Sequence, residues 1–328
     1  MIVIQHPNQQ DTAFNLAMEE YLLRHLTLDE DHLLFYINDP SVIIGKHQNT
    51  HEEINHEFVE ANQLNVVRRL SGGGAVYHDH GNLNFSLLTP RIDRFNDFEA
   101  LTQPIVQALN ELHIPAKLSG RNDIVVNDRK VSGNAQYRSG NKMFCHGTLL
   151  FNSDLDALVK ALRVGSDKIQ SKGIKSIRSR VANIQEFLTD KVSTQHFQDK
   201  LINALPSSIL NGSHELSETD LQAIEALAHD KYRQWHWNYG RSPVFNVHAQ
   251  QRFDFGEIDI RLNVENSQII ECRIFGDFFS EGDINQLETA LTGVRYDLYT
   301  LRDTLQSHGG ISQYFPQLDD ASFIKLLI

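Results

Sequence analysis

Two short stretches carry residue types able to handle a phosphate or an activated acyl group. The first is Arg68-Arg69-Leu70-Ser71-Gly72-Gly73-Gly74-Ala75-Val76-Tyr77-His78. Three consecutive glycines let a backbone pass close to a ligand, and their N–H groups can turn toward an anion. An arginine just upstream can pair with a phosphate through two parallel hydrogen bonds. No Gly-Lys-Ser/Thr follows, so this is not a Walker loop. Strand-like neighbours also exclude the glycine turn that opens a dinucleotide-binding helix. A glycine-rich hairpin turn satisfies the same residues, and the stretch alone leaves both readings open.

The second stretch is Arg121-Asn122-Asp123-Ile124-Val125-Val126 followed by Arg129-Lys130-Val131-Ser132-Gly133. A turn at Asn127-Asp128 makes this a hairpin, which brings Asp123 and Lys130 near one another. Lys130 can neutralise charge on a phosphate or an acyl oxygen. Asp123 can hold a magnesium ion against a triphosphate. An exposed turn with one charge pair fits the same residues. His146-Gly147-Thr148, after Cys145, reads on its own as an ordinary strand histidine.

The elements that position these stretches follow from periodicity. Asp11 caps a helix that places Phe14, Ala17, Met18, Tyr21 and Leu22 on one face. Short strands are expected at Leu33–Ile37, Val42–Ile44 and Leu83–Leu87, and longer ones at Leu64–Leu70 and Lys142–Phe151. A helix starts near Asp97, with Pro104 predicting a kink or a later start. Gly165, Gly173, several serines and the basic residues Lys168, Lys172, Lys175, Arg178 and Arg180 predict a mobile basic loop over 165–183. A capped helix runs from Ser217 to about Trp235. The aromatic and turn-forming run that ends at Pro243 reads as a domain boundary. Beyond it, Phe253–Leu262 and Ile269–Phe275 read as strands, with helices near 283–292 and 297–308.

The whole chain has 328 residues, 41% of them hydrophobic and 22% charged, enough for about two domains without disulfide staples. Its formal net charge of -12 speaks against a nucleic-acid binder. Two distant cysteines, Cys145 and Cys272, exclude a disulfide framework and a four-cysteine zinc site. The N-terminus lacks a basic start and an apolar run, and no stretch approaches the ~20 apolar residues of a membrane span. No membrane role and a cytoplasmic location are the resulting expectations.

Taken together, four stretches give the chain a specific resemblance. They are Ile43-Ile-Gly-Lys-His-Gln-Asn49, Arg68–Asn82, Arg121–Tyr137 and Lys172–Asn183, with His146-Gly147-Thr148 and Trp237–Gly240 in support. The chain resembles the two-domain, ATP-dependent lipoate–protein ligases of the biotin and lipoate ligase superfamily. The resemblance implies an α+β fold: a large domain of mixed and antiparallel sheets with packed helices, and a small α+β accessory domain. Residues 1–245 would form the catalytic domain and 246–328 the accessory domain. It also implies that lipoate and ATP, with magnesium, give lipoyl-AMP and pyrophosphate. The lipoyl group then passes to a lysine on a lipoyl domain of a 2-oxoacid dehydrogenase E2 subunit or on the H protein of glycine cleavage.

Residue by residue, Arg69 matches the arginine that meets the phosphates. Gly74, Ala75, Val76 and Tyr77 match the segment along the adenylate and acyl tail. Lys130 matches the lysine that contacts both phosphate and acyl carbonyl, an electrostatic clamp and not a nucleophile. Asn122 and Asp123 fall in the nucleotide region, with Asp123 the candidate metal ligand. Gly74, His78 and Lys130 are the candidate lipoate contacts, and 165–183 matches the adenylate-binding loop. A biotin ligase is disfavoured by the missing basic glycine-arginine loop, and a lipoate carrier or sensor would bind without ligating. ATP-independent lipoyl or octanoyl transferases of the same superfamily use a cysteine upstream of the matching lysine, and no cysteine precedes Lys130 here. The double variant Cys145→Ser, Cys272→Ser is therefore expected to keep lipoylation of an apo acceptor largely intact. A folded double variant unable to transfer lipoyl from lipoyl-AMP would establish a thioester step.

Overall fold

A computed structural model describes residues 1–162, 180–239 and 245–327. The described chain forms two compact units. The first comprises Met1–Ile44, Glu52–Leu70 and Ala75–Asn238; the second comprises Gly45–His51, Ser71–Gly74 and Tyr239–Ile328. Mixed sheets with packed helices in the first and a small α+β second unit agree with the expected fold class.

The first unit is organised on an eight-stranded sheet. In chain order its strands are β1 (Ile2–Gln5), β2 (His32–Ile37), β6 (Asn82–Thr89), β7 (Ala116–Ser119), β8 (Asp123–Val126), β9 (Arg129–Ser139), β10 (Lys142–Leu150) and β11 (Gly212–Glu215). Their spatial order is β11-β1-β2-β6-β10-β9-β8-β7. Only β1 runs parallel to its neighbours; the rest are antiparallel. A smaller sheet, ordered β4-β3-β5, is built from β3 (Ser41–Ile44), β4 (Asn65–Arg68) and β5 (Val76–His78). The short strands β1, β7 and β11 have no counterpart in the sequence reading.

Helix α1 (Thr12–His25) is buried on most sides. Phe14, Ala17, Met18 and Leu22 pack into the main core as the periodicity predicts. Asn15, Glu19 and Glu20 are buried with them, which no apolar stripe foretells. The Asp11 carboxylate caps α1, accepting from Ala13 N at 2.8 Å and Phe14 N at 3.4 Å. The helix expected near Asp97 spans Phe98–Glu111 and keeps Pro104 inside it. Its start is fixed by Asp97, whose side chain accepts from Ala100 N. The helix from Ser217 ends at Leu227, earlier than expected, and continues as a wider turn over Ala228–Tyr232.

The second unit contains β12 (Val247–Phe253), β13 (Gly256–Glu265) and β14 (Gln268–Phe275), with helices at Ile284–Leu291, Leu298–Ser307 and Asp320–Leu327. The single strand expected over Phe253–Leu262 is in fact broken by a tight hairpin. Gly256 at φ 134° pairs with Phe253 across it. Phe253 and Phe255 alternate like one strand in sequence, and the glycine that ends the alternation lies one residue later. Most of the basic stretch expected at 165–183 falls outside the described residues, as does the boundary at Pro243.

The cap on α1 yields a stability prediction. Asp11 also pairs with Arg233 at 2.6 Å, about a third of each side chain being exposed. Asp11→Ala should lower stability by about 1–2 kcal/mol, as loss of a helix cap does. Asp11→Asn keeps the cap and loses only a partly exposed ion pair, so its loss should stay near 0.5 kcal/mol. Urea denaturation midpoints decide between the cap and the ion pair as the larger contribution.

Candidate active site

Lys130 lies on β9 and Asp123 at the start of β8. Asn127 and Asp128, at φ 48° and 59°, make the two-residue turn between them. Both positive φ values suit this turn and the right-handed twist of its strands. A bulge in the β8–β9 ladder leaves Val125 opposite Lys130 and Asp123 opposite Gly133. Residues three apart on a regular strand face opposite ways, and the extra residue brings Lys130 and Gly133 to one face. The Lys130 ammonium sits 2.8 Å from Asp123 Oδ1, and a side chain on Gly133 would begin 3.1 Å from it. Gly133 thus leaves the room that the lysine occupies. Lys130 and Asp123 are 40% and 35% exposed, so the pair is reachable from solvent.

A strap from beyond the undescribed stretch holds the backbone of Lys130. Ala182 N donates to Lys130 O at 2.9 Å, and Val181 bridges to Lys130 in parallel. Asn183 is cross-braced to Ser153 by two bonds of 2.9 and 3.0 Å. Arg129 pairs with Glu186 at 2.8 Å and lies over the Phe187 ring. Asn122 is locked to Asn134 by mutual side-chain-to-backbone bonds. Asn122 is thereby a brace of the hairpin.

A second cluster is buried in the same unit. Arg69, 6% exposed, follows β4, donating from Nη1 to Ile43 O at 3.2 Å. Burial weakens its guanidinium to about 10, with the Glu19 carboxylate and Tyr36 opposing that shift, and it stays charged at neutral pH. The Nδ1 of His146 donates to both oxygens of Glu19, at 3.0 and 2.9 Å. Tyr36 also hydrogen-bonds Glu19, and burial together with that carboxylate raises its phenol well above the ordinary value. His78, at the end of β5, is pushed down to about 3 by burial, by Arg69 and by His146. Tyr77 beside it is raised to about 12 by burial, by Asp79 and by Asp154. Glu19 was invisible to sequence reasoning. It lies off the apolar stripe of α1, and apolar periodicity carries no signal for a polar residue buried on another side.

The glycine run divides. Ser71–Gly74 clusters with the second unit, where Gly73 N donates to Phe278 O at 3.3 Å. A side chain on Gly72 would begin 2.2 Å from that carbonyl, so packing alone demands glycine there. At Gly74 nothing lies within 4 Å of the place a side chain would start. Ala75 and Val76 belong to the first unit and lead into β5.

Among the described residues no group of three or more His, Cys, Asp or Glu is placed to hold a metal ion. Asp123 offers a single carboxylate, now paired with Lys130. One carboxylate suits a magnesium ion carried mainly by nucleotide phosphates. Cys145 is fully buried, and burial pushes its thiol up to about 12. A thiol so hard to ionise is a poor nucleophile. No helix among the described residues is long and apolar enough to cross a membrane.

A partly exposed lysine thus stands on a bulged hairpin, and a buried arginine follows β4 in the same unit. Residues 11–206 match the lipoyl protein ligase A/B catalytic domain, and residues 242–327 match the bacterial lipoate protein ligase C-terminus. The chain belongs to the lipoate–protein ligase family. It is 48% identical to the lipoate-protein ligase LplJ of Bacillus subtilis, over all of both chains. Among solved structures it resembles P. falciparum LipL1 in complex with lipoate, at 28% identity and TM-score 0.75, covering 93% of this chain and 94% of that one. It also resembles the bipartite lipoate protein ligase of Thermoplasma acidophilum, studied with its E2 lipoyl domain, at 29% identity and TM-score 0.66, covering 75% and 98%. A lipoate-protein ligase A bound with ATP matches at 28% identity and TM-score 0.61, covering 73% and 97%.

The depressed His78 yields a pH prediction. Its ordinary value near 6.5 holds in the unfolded chain, whereas the folded value is about 3. Between these values the unfolded state binds more protons, so stability is full above about pH 6.5 and falls as pH drops toward 3. His78→Gln should flatten the stability–pH slope in that window by up to about 1.4 kcal/mol per pH unit. Equal slopes in urea titrations of both proteins would contradict a buried neutral His78.

Proposed function

We propose that this chain is an ATP-dependent lipoate–protein ligase that joins lipoate to AMP and then to an acceptor lysine. A carboxylate is a poor acyl donor, and adenylate gives it a leaving group. The enzyme must offset charge that develops at the phosphate and carbonyl and must keep water from the mixed anhydride. The observation that carries this reading is Lys130: its ammonium stands over a residue without a side chain, held by one half-exposed carboxylate. A phosphate or acyl oxygen replaces that carboxylate at little cost, because a solvent-exposed pair contributes under about 1 kcal/mol.

In this reading Lys130 is the catalytic residue, clamping the α-phosphate and the acyl carbonyl together. Arg69 supplies a buried positive charge toward the phosphates, and Gly74, Ala75, Val76 and Tyr77 border the adenylate. Asn122 braces the hairpin beside the nucleotide. Asp123 takes part in holding magnesium-bound ATP, which enters as substrate. Gly74, His78 and Lys130 contact lipoate. Residues 1–245 act as the catalytic domain and 246–328 as the accessory domain. The acceptors are apo lipoyl domains of 2-oxoacid dehydrogenase E2 subunits and the H protein of glycine cleavage, and a cytoplasmic location goes with ATP as co-substrate. The transferase alternative would need an ionisable thiol, which Cys145 does not offer.

Lys130→Ala should fold normally and lose ~10²–10³ in the rate of adenylation, the usual effect of removing one preorganised electrostatic group. Pyrophosphate release with ATP, magnesium and lipoate measures it, and a near-normal rate in the folded variant removes Lys130 from this role. Lipoylation of a panel of apo acceptors, read by mass, identifies the acceptor and tests the overall reaction.

A further inference from the structure

We infer that Asn38 is a positioning residue that, together with Asn15, holds His78 as the Nε2–H tautomer, a neutral hydrogen-bond donor for a carboxyl oxygen of the acid substrate. The inference rests on the lipoate reading above and names the atom that receives the acid.

Amide orientation and histidine tautomer are normally ambiguous, and here three buried partners settle both. The Asn15 side-chain nitrogen faces Ile37 O at 3.1 Å and Gln9 O at 3.3 Å. Both are backbone carbonyls and can only accept, so a donor must face them. The same nitrogen donates to Asn38 Oδ1 at 2.9 Å. Asn38 therefore turns its oxygen to Asn15 and its NH₂ to His78 Nδ1, at 3.0 Å. A donor facing Nδ1 makes that nitrogen the acceptor, and the ring proton must sit on Nε2. Asn15 and Asn38 are fully buried and His78 is 4% exposed, so water does not relax this chain.

His78 Nε2 is buried and has no hydrogen-bond partner among the described residues. An unmade bond at a buried donor is expensive, and a donor kept in that state points to a ligand that fills it. The charged and titratable groups around the ring are Arg69 and His146, with Glu19 and Tyr36 behind them. Arg69 and His146 both oppose a positive charge on the ring, and the Glu19 carboxylate is engaged by His146 and Tyr36 within the field of Arg69. A neutral donor near a buried guanidinium suits an anionic oxygen, since it adds a hydrogen bond without a second buried cation. A carboxylate fits that description. The assignment to lipoate and not to ATP makes the two Michaelis constants respond differently.

Long-range ¹H–¹⁵N NMR of histidine-labelled protein between about pH 5 and 8 reads the tautomer directly. His78 is expected as Nε2–H, without titration, and its Nε2 signal should move when lipoate is added. Asn38→Asp presents a carboxylate that accepts from Nδ1–H and reverses the tautomer. Its KM for lipoate should rise about tenfold, the loss of one buried hydrogen bond, with KM for ATP unchanged. An Nδ1–H or doubly protonated His78 in the unaltered protein overturns the proposal. So does an unchanged lipoate KM in an Asn38→Asp protein whose tautomer has reversed. If Asn38→Asp fails to fold, the unaltered protein still decides through its response to lipoate. Pyrophosphate release separates this proposal from the ligase reading: none with ATP, magnesium and lipoate overturns the ligase, whereas release with an unmoved His78 signal overturns the donor alone.

Discussion

Two adjacent carboxylates inside a central helix constrain the catalytic unit more than any other feature. Glu19 and Glu20 are 2% and 1% exposed on α1. An unpaired buried carboxylate is prohibitive, so each must be matched by groups brought from elsewhere. Glu20 takes Lys231 at 2.7 Å, the Tyr232 hydroxyl at 2.6 Å and Arg24. Glu19 takes His146 from β10 and Tyr36 from β2, within the field of Arg69. These partners come from residues 24 to 232, so α1 fixes where the strands and the segment after Leu227 must lie. Breaking one such pair is far more damaging than losing a surface bridge, because the remaining charge stays buried.

The same helix links this scaffold to the chemistry. Asn15 begins the relay to His78, Glu19 orients His146, and Glu20 draws in Lys231 over the Trp237 ring at 4.2 Å. Trp237 donates to Arg68 O at 2.9 Å, and Arg68 donates to the carbonyls of Trp237 and Asn238. Arg68 is therefore a structural anchor, fully spoken for. Its neighbour Arg69 donates to Ile43 O and lies in the field of Glu19 and Tyr36. Adjacent arginines thus differ in surroundings: Arg68 braces the backbone of 237–238, and Arg69 lies among Ile43, Glu19 and Tyr36.

Much of this was legible in the sequence, and the remainder was hidden for identifiable reasons. The hairpin at Asn127-Asp128 was readable because two residues tolerant of positive φ separate two apolar runs. The closeness of Asp123 and Lys130 followed from it. The bulge that brings Gly133 to the same face did not, since an extra residue in a ladder leaves no mark on composition. Glu19, Asn15 and Asn38 were missed because a period of apolar residues says which face is buried and nothing about polar residues buried on the other sides. The break at Asp254-Phe255 was missed because two phenylalanines at period two imitate a strand. Residue type did not separate Arg68 from Arg69; the resemblance alone singled out Arg69, and the bonds of Arg68 to the carbonyls of Trp237 and Asn238 appear only in the fold.

The glycine run shows where a motif and its physics part company. Read as a unit, Gly72-Gly73-Gly74 suggests three N–H groups turned toward one anion. In the structure Gly72 is required by a carbonyl 2.2 Å from where its side chain would start, and Gly73 spends its N–H on that same Phe278 carbonyl. These two glycines are accounted for without any ligand. Gly74 differs: its backbone is not in the left-handed region, and open space surrounds the missing side chain. Packing and backbone strain therefore place no demand on it, and an alanine would fit the empty protein. Of the three glycines, Gly74 is the one with open space where a side chain would start, and the chain runs on from it through Ala75 into β5. That short segment leads to His78, the last residue of β5.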